Sequence, residues 1–177
     1  LSQPRKPRPA KLIVGLLAQP GPCFGQALQG LEELFGPVDF ISESLAFDFS
    51  DYYAPEMGVN LERRWLSHLD LVEPGRLAEI KLLTNGLEEK LASGQGRRTV
   101  NLDPGLLFLE RLVLATGKSA THRIYLSQGI WADLSLVFER GEYRPLTWTY
   151  PDYARPPLPG LLGRLRRRLK DQLKERP

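Results

Sequence analysis

Hydrophobic and polar positions follow two rhythms along the chain, and the switches between them mark out its elements. Leu12, Ile13, Val14, Leu16 and Leu17 form a short, nearly continuous apolar run, the pattern of a strand buried on both faces. After the Pro20-Gly21-Pro22 turn, Phe24, Ala27, Leu28, Leu31, Leu34 and Phe35 recur at helical spacing until Gly36-Pro37 stops them. From Val38 to Phe49 the period drops to two, with Ile41, Leu45, Phe47 and Phe49 on one face and Ser42, Ser44 and Asp48 on the other. A loop over 51–60 follows. Leu61, Trp65, Leu69 and Leu71 again share a strand face, opposite His68. Pro74 introduces a helix carrying Leu77, Ile80, Leu83, Leu87 and Leu91, closed by Ser93-Gly94-Gln95-Gly96.

With a strand over 98–102, this order is that of a ferredoxin-like βαββαβ unit, so the expected class is α+β. The Leu106 to Ala115 stretch suits a buried strand, although Asp103-Pro104 would also start a helix. Around Ser127-Gln128-Gly129 a hairpin has two possible registers. A three-residue loop with Gly129 left-handed aligns His122, Ile124 and Leu126 with Leu134, Ala132 and Ile130, and sets Arg123 opposite Asp133. That charge match favours it over a two-residue loop. A further strand near Tyr143 to Trp148 extends the core by an antiparallel hairpin or meander. Pro156, Pro157 and Pro159 then set off an amphipathic helix with Leu161, Leu162, Leu165, Leu169 and Leu173 as its stripe. The expected organisation is a flexible basic arm (1–11), one α+β domain (12–155) and a basic C-terminal helix (156–177).

A length of 177 residues suits one domain, and 42% hydrophobic with 25% charged residues is a folding composition. No apolar run approaches the roughly 20 residues of a membrane span, which points to a cytoplasmic protein. Cys23 is the single cysteine, and with two histidines it makes disulfide and zinc scaffolds poor readings. The net charge of +3 is uneven: +4 falls in 1–11 and +5 in 164–176, leaving 12–163 at −6. The basic C-terminal helix is therefore a candidate surface for RNA or an acidic protein, against the preferred alternative of leucines docked on the domain.

Polar residues gather at predicted strand ends. Asp48, Asp51, Tyr53 and Glu56 form an acidic, aromatic cluster, and Tyr150-Pro151-Asp152-Tyr153 repeats its chemistry. Such carboxylates share protons or hold a divalent cation; the plainer reading is a solvated loop, preferred for Tyr52 and Tyr150. Asn101 and Asp103 fall in a turn expected after a strand, where Asp103 is either functional or a cap. Lys81 and Asn85 lie one helical turn apart, usually a solvated face. His122, with Lys118 and Arg123, could form an anion site, while a packed histidine is the commoner outcome. Leu112 to Ser119 ends like a phosphate loop but lacks its first glycine at Leu112. The expected catalytic set is Asp48, Asp51, Asp103 and His122, and the expected ligand-binding set is Tyr53, Glu56, Lys81, Asn101, Lys118, Arg123 and Asp152. No metal set is assigned. The expected ligand is a phosphate-bearing metabolite or nucleotide.

Four segments, Phe47-Asp48-Phe49-Ser50-Asp51-Tyr52-Tyr53, Asn101-Leu102-Asp103-Pro104-Gly105, His122-Arg123-Ile124-Tyr125-Leu126 and Trp148-Thr149-Tyr150-Pro151-Asp152-Tyr153, resemble the bacterial and archaeal domain-of-unknown-function family 4416. The resemblance runs from about Lys11 to Tyr153 and extends to Glu56-Met57-Gly58 and Glu79-Ile80-Lys81. It implies a small intracellular protein and no established activity. Some members carry a GTP-binding label; here Thr84-Asn85-Gly86 is not a guanine-reading NKxD, and Asp103-Pro104-Gly105 is one residue short of DxxG.

Overall fold

The structure, a computed structural model, describes residues 1–94 and 96–175. Gln95, inside the expected Ser93 to Gly96 helix stop, and Arg176 and Pro177, at the end of the expected basic helix, lie outside the described residues. The elements in order are β1 (Ala10–Ala18), α1 (Pro22–Phe35), β2 (Val38–Ile41), β3 (Leu45–Ala46), α2 (Ala54–Met57), β4 (Glu62–Val72), α3 (Leu77–Leu91), β5 (Val100–Leu107), β6 (Arg111–Thr116), β7 (Arg123–Ser127), β8 (Ile130–Glu139), β9 (Glu142–Pro145), α4 (Pro151–Ala154) and α5 (Leu158–Lys174). The strands form one antiparallel sheet in the order β2-β4-β1-β5-β6-β8-β7, with β3 also beside β4 and β9 beside β8. The fold is a mixed α and β one with a single antiparallel sheet and a C-terminal helix.

All nine residues of β1 are buried, as its continuous apolar run requires. Leu12, Val14, Leu16 and Ala18 face the larger core, which they share with Ala27 and Leu31 of α1 and Ile80 and Leu87 of α3. Gly30 of α1 allows the two helices to touch, since a Cβ there would lie 2.5 Å from Leu87 Cδ1. On the opposite face Ile13 joins a second core built around α5, in which Leu158, Leu161, Leu162 and Leu165 pack with Trp65, Leu112, Leu136 and Tyr143. The leucine stripe is docked on the sheet. Each buried leucine contributes about 1.5–3 kcal/mol relative to exposure.

Several local readings are corrected. Asn101 to Gly105 is no turn but the middle of β5, and the Leu106 to Ala115 stretch is the end of β5, a tight connection and then β6. The Leu102 N–H and C=O point to the β6 side. By the alternation of a strand, Pro104 turns its missing N–H the same way, toward ground that β6 does not occupy, so the ladder loses nothing. Lys11 does not belong to an exposed arm. It is fully buried in β1, and its Nζ donates to Asp39 Oδ2 (2.7 Å), the His68 carbonyl (2.8 Å) and Gln172 Oε1 (3.2 Å). The apolar alternation of β4 fails at Leu69, which is exposed, because the register against β1 shifts between Lys11 and Ile13. The long strand expected over 38–49 is interrupted after β2, where the Ser42 hydroxyl accepts the Trp65 N–H at 2.9 Å.

The hairpin pairs Arg123 with Asp133 and Ile124 with Ala132, by a different route from the expected loop. Gln128 and Gly129, at φ 52° and 76°, make a two-residue turn, and the register shift falls between Tyr125 and Ser127. Ile124 is 72% exposed, so the strand face expected to point inward points to solvent.

Candidate functional site

β5 and β6 pair at only three positions, Gly105 with Leu114, Leu106 with Val113 and Leu107 with Leu112. Beyond them the strands part, and the gap is a cavity of about 570 Å³. Parting leaves the β5 backbone in need of partners, and α3 supplies them. Lys81 Nζ donates to the Leu102 carbonyl at 2.8 Å, and Glu88 Oε1 accepts the Leu102 N–H at 2.6 Å. Lys81, Asn85 and Glu88 follow one another along a single helix face, and all three line the cavity.

Arg63 of β4 forms the floor. Its Nη1 donates to Asp103 Oδ2 at 2.9 Å, and its Nε lies 3.1 Å from Asp152 Oδ2, close enough for an ion pair though outside hydrogen-bond geometry. The Phe47 and Tyr153 rings flank the guanidinium at 5.4 and 6.0 Å. Gly15 of β1 makes the room beneath, because a Cβ there would strike the Tyr153 hydroxyl. Asn101 Nδ2 donates to the same Asp103 oxygen at 2.9 Å, and Asn101 Oδ1 accepts from Arg98 Nη1 at 3.0 Å. Arg98 in turn forks onto Glu56 at 2.9 and 2.6 Å.

Burial governs the acid chemistry here. It pushes the Asp152 carboxyl up, against the pull of Arg63, and pushes Glu88 up, against Lys81. Burial and then the nearby Asp103 charge raise the Tyr53 phenol far above its ordinary range. For Arg63, burial opposes the charge, but the Asp103 and Asp152 carboxylates outweigh it and hold the guanidinium protonated.

The mouth is built differently. Lys118 Nζ donates to the exposed Tyr52 hydroxyl at 2.8 Å and holds that phenol below its usual range. Arg123 Nη2 donates to the Tyr150 hydroxyl at 2.7 Å, and Arg123 Nε to Asp133 Oδ2 at 2.8 Å. His122 Nε2 lies 3.3 Å from that oxygen, and its ring stacks on Trp148 at 5.0 Å. Among the described residues, Lys118 has no carboxylate partner.

Six of the expected site residues, Tyr53, Lys81, Asn101, Asp103, Lys118 and Asp152, line this one cavity. Glu56, His122 and Arg123 stand one contact behind, holding Arg98 and Asp133. Asp48 and Asp51 are exposed and outside the lining: alternation turns Phe47 and Phe49 to the cavity and Asp48 away. No three His, Cys, Asp or Glu side chains converge to hold a metal ion among the described residues; Asp103 and Asp152 are engaged with Arg63. Gly117-Lys118 leads to β7 rather than to a helix, so no phosphate loop forms. Tyr52 and Tyr150, given the plainer reading, flank the mouth. Arg63 was missed, although Leu61, Arg63 and Trp65 occupy one alternation of a buried strand, and a cation at such a position is the signal to look for. Asp133 was marked only as the cross-strand partner of Arg123, and Arg98 and Glu88 carried no comparable mark.

Fold and site together define an α+β domain whose sheet opens, between two central strands, into a cavity walled by ion pairs and aromatic rings. The chain belongs to the family described as Domain of unknown function (DUF4416), whose model matches residues 8–169. No curated protein and no solved structure matches it.

Proposed function

We propose that the chain binds a small phosphate-bearing metabolite or nucleotide in the cavity between β5 and β6, with Lys118 taking the phosphate at the mouth and Asp103 and Asn101 taking hydrogen-bonding groups deeper in. The observation that carries this reading is the contrast among the lining cations. Arg63 and Arg98 are held by carboxylates and Lys81 by a carbonyl. Among the described residues the Lys118 ammonium touches Tyr52 alone, at its hydroxyl and 4.3 Å from its ring centre, an exposed contact that an anion displaces at small cost. Tyr52 and Tyr150, each with a cation over its ring at 4.3 and 6.0 Å, also line the cavity and give a planar group aromatic edges to pack against. A cavity of about 570 Å³ is in the range of metabolite sites.

Two coarser features fit. The order β2-β4-β1-β5, all antiparallel with α1 and α3 as connections, supports reading the first half as a ferredoxin-like unit to which β6–β9 were added. No described helix is long and apolar enough to cross a membrane, in keeping with the cytoplasm, where phosphorylated metabolites are kept.

The test is a thermal-shift screen of nucleotides and phosphorylated metabolites against their dephosphorylated counterparts. A true ligand at a hundredfold excess over Kd adds about 2.7 kcal/mol of stability. Lys118→Ala should weaken a hit at least tenfold, and Asp48→Asn should leave it unchanged. Hits that ignore the phosphate, or that survive both Lys118→Ala and Asp103→Asn, would remove the proposal. Product analysis of the same mixtures reads whether the ligand is turned over.

A further inference from the structure

The two basic stretches of the sequence meet at one pole of the molecule. Lys11, at the start of β1, reaches Gln172 near the end of α5 through its Nζ at 3.2 Å, and Gln172 Nε2 donates to the Leu69 carbonyl at 2.8 Å. The segment before β1, with Arg5 and Arg8 exposed, therefore starts beside the cationic face of α5. On that face Arg164, Arg167, Arg168, Lys170 and Lys174 are exposed. Lys174 is engaged with Asp171 at 2.8 Å, and Arg168 donates to the Asp39 carbonyl at 2.9 Å. Arg5, Arg8, Arg164, Arg167 and Lys170 have no carboxylate partner among the described residues. The remainder of the chain is acidic, so charge is segregated as well as uneven.

We infer that this pole is a docking surface for the phosphate backbone of a nucleic acid duplex, separate from the cavity. Three properties select that partner. Five leucines of α5, Leu158, Leu161, Leu162, Leu165 and Leu169, are buried and Leu173 is half-buried, so its outer face offers too little apolar surface to insert into a lipid layer. Four of the five unpaired cations are arginines, whose planar fork matches phosphate oxygens. Among the described residues none of the five lies over an aromatic ring, so unpaired bases have no stacking platform there, and contact is with the backbone alone, without sequence preference.

Fluorescence anisotropy of a labelled 20-base-pair RNA duplex, titrated with the full chain at several salt concentrations, tests this. If all five cations engage phosphates, log K falls against log salt with a slope of about −4.5, or about 500-fold between 50 and 200 mM. The variant with Arg164, Arg167 and Lys170 all changed to Gln, its fold checked by circular dichroism, should bring the slope to about −1.8. Lys118→Ala should leave duplex binding intact, so this surface and the cavity fail independently. Absence of duplex binding at 50 mM salt, an unchanged slope in the triple variant, or tighter binding to phosphatidylserine vesicles than to duplex would each overturn the assignment.

Discussion

Arg63 sits where a charge is costly, and the two acids that face it are costly without it. Arg63→Met keeps much of the volume and leaves Asp103 and the buried Asp152 facing one another. Breaking such a pair should cost about 3–5 kcal/mol, measurable by urea unfolding, with a further loss of any cavity ligand. Glu88 offers a test through pH. Burial raises its folded pKa, so the folded chain holds this proton more tightly than the unfolded chain. The resulting stability is complete below the ordinary glutamate range and is lost as pH rises through the folded value. Glu88→Gln removes that dependence. The variant should therefore gain on the parent as pH climbs from about 4 upward, read from urea midpoints at a series of pH values; a constant difference would refute it. Residues of this kind are only half legible in a sequence. Asp103, Asn101, Lys81 and Lys118 stand out because polar residues near strand ends invite attention. Arg63 hides because its neighbours Leu61 and Trp65 describe a face so well that the cation between them is overlooked.

At the scale of elements, apolar runs and helical stripes were reliable guides, as were Pro22 and Gly36 at the ends of α1; the alternation of β4 and the breakers inside β5 were not. β1, α1, α3 and α5 follow from runs and stripes that burial enforces directly. β5 was obscured by Asp103-Pro104-Gly105, three residues that ordinarily make turns. The tertiary arrangement overrides them: Pro104 faces the unpaired side, and Gly105 permits the close approach of β6. A Cβ at 105 would lie 2.5 Å from Leu114 Cδ2 and 2.9 Å from the Val113 carbonyl oxygen. Gly105→Ala should cost about 1–3 kcal/mol by overpacking, seen as a lowered urea midpoint at an unchanged m-value. The bulge in β4 and the bulged hairpin were illegible for a different reason. A one-residue slip is decided by partners on other strands, and local alternation carries no record of it.

Across the whole molecule, α5 docks as its leucine stripe requires, and where it docks is the part its sequence does not carry. Its core contains Ile13 and Trp65 from one side of the β5–β6 parting and Leu112, Leu136 and Tyr143 from the other. Deleting 156–177 bares both halves at once. The shortened chain should lose its near-ultraviolet circular dichroism and aggregate at micromolar concentration on size exclusion, while Leu162→Ala alone should cost about 2–5 kcal/mol. The parting of β5 and β6 also bears on how the sheet breathes. Three residue pairs form a seam between two larger ladders, with α5 as a splint on one face and α3 on the other. A seam so short is the natural place for sub-global opening. The amides of β6 should exchange with deuterium sooner than those of β1, and a molecule lodged in the gap, gripping Lys118 on one side and Asp103 on the other, would act as a rivet that slows them.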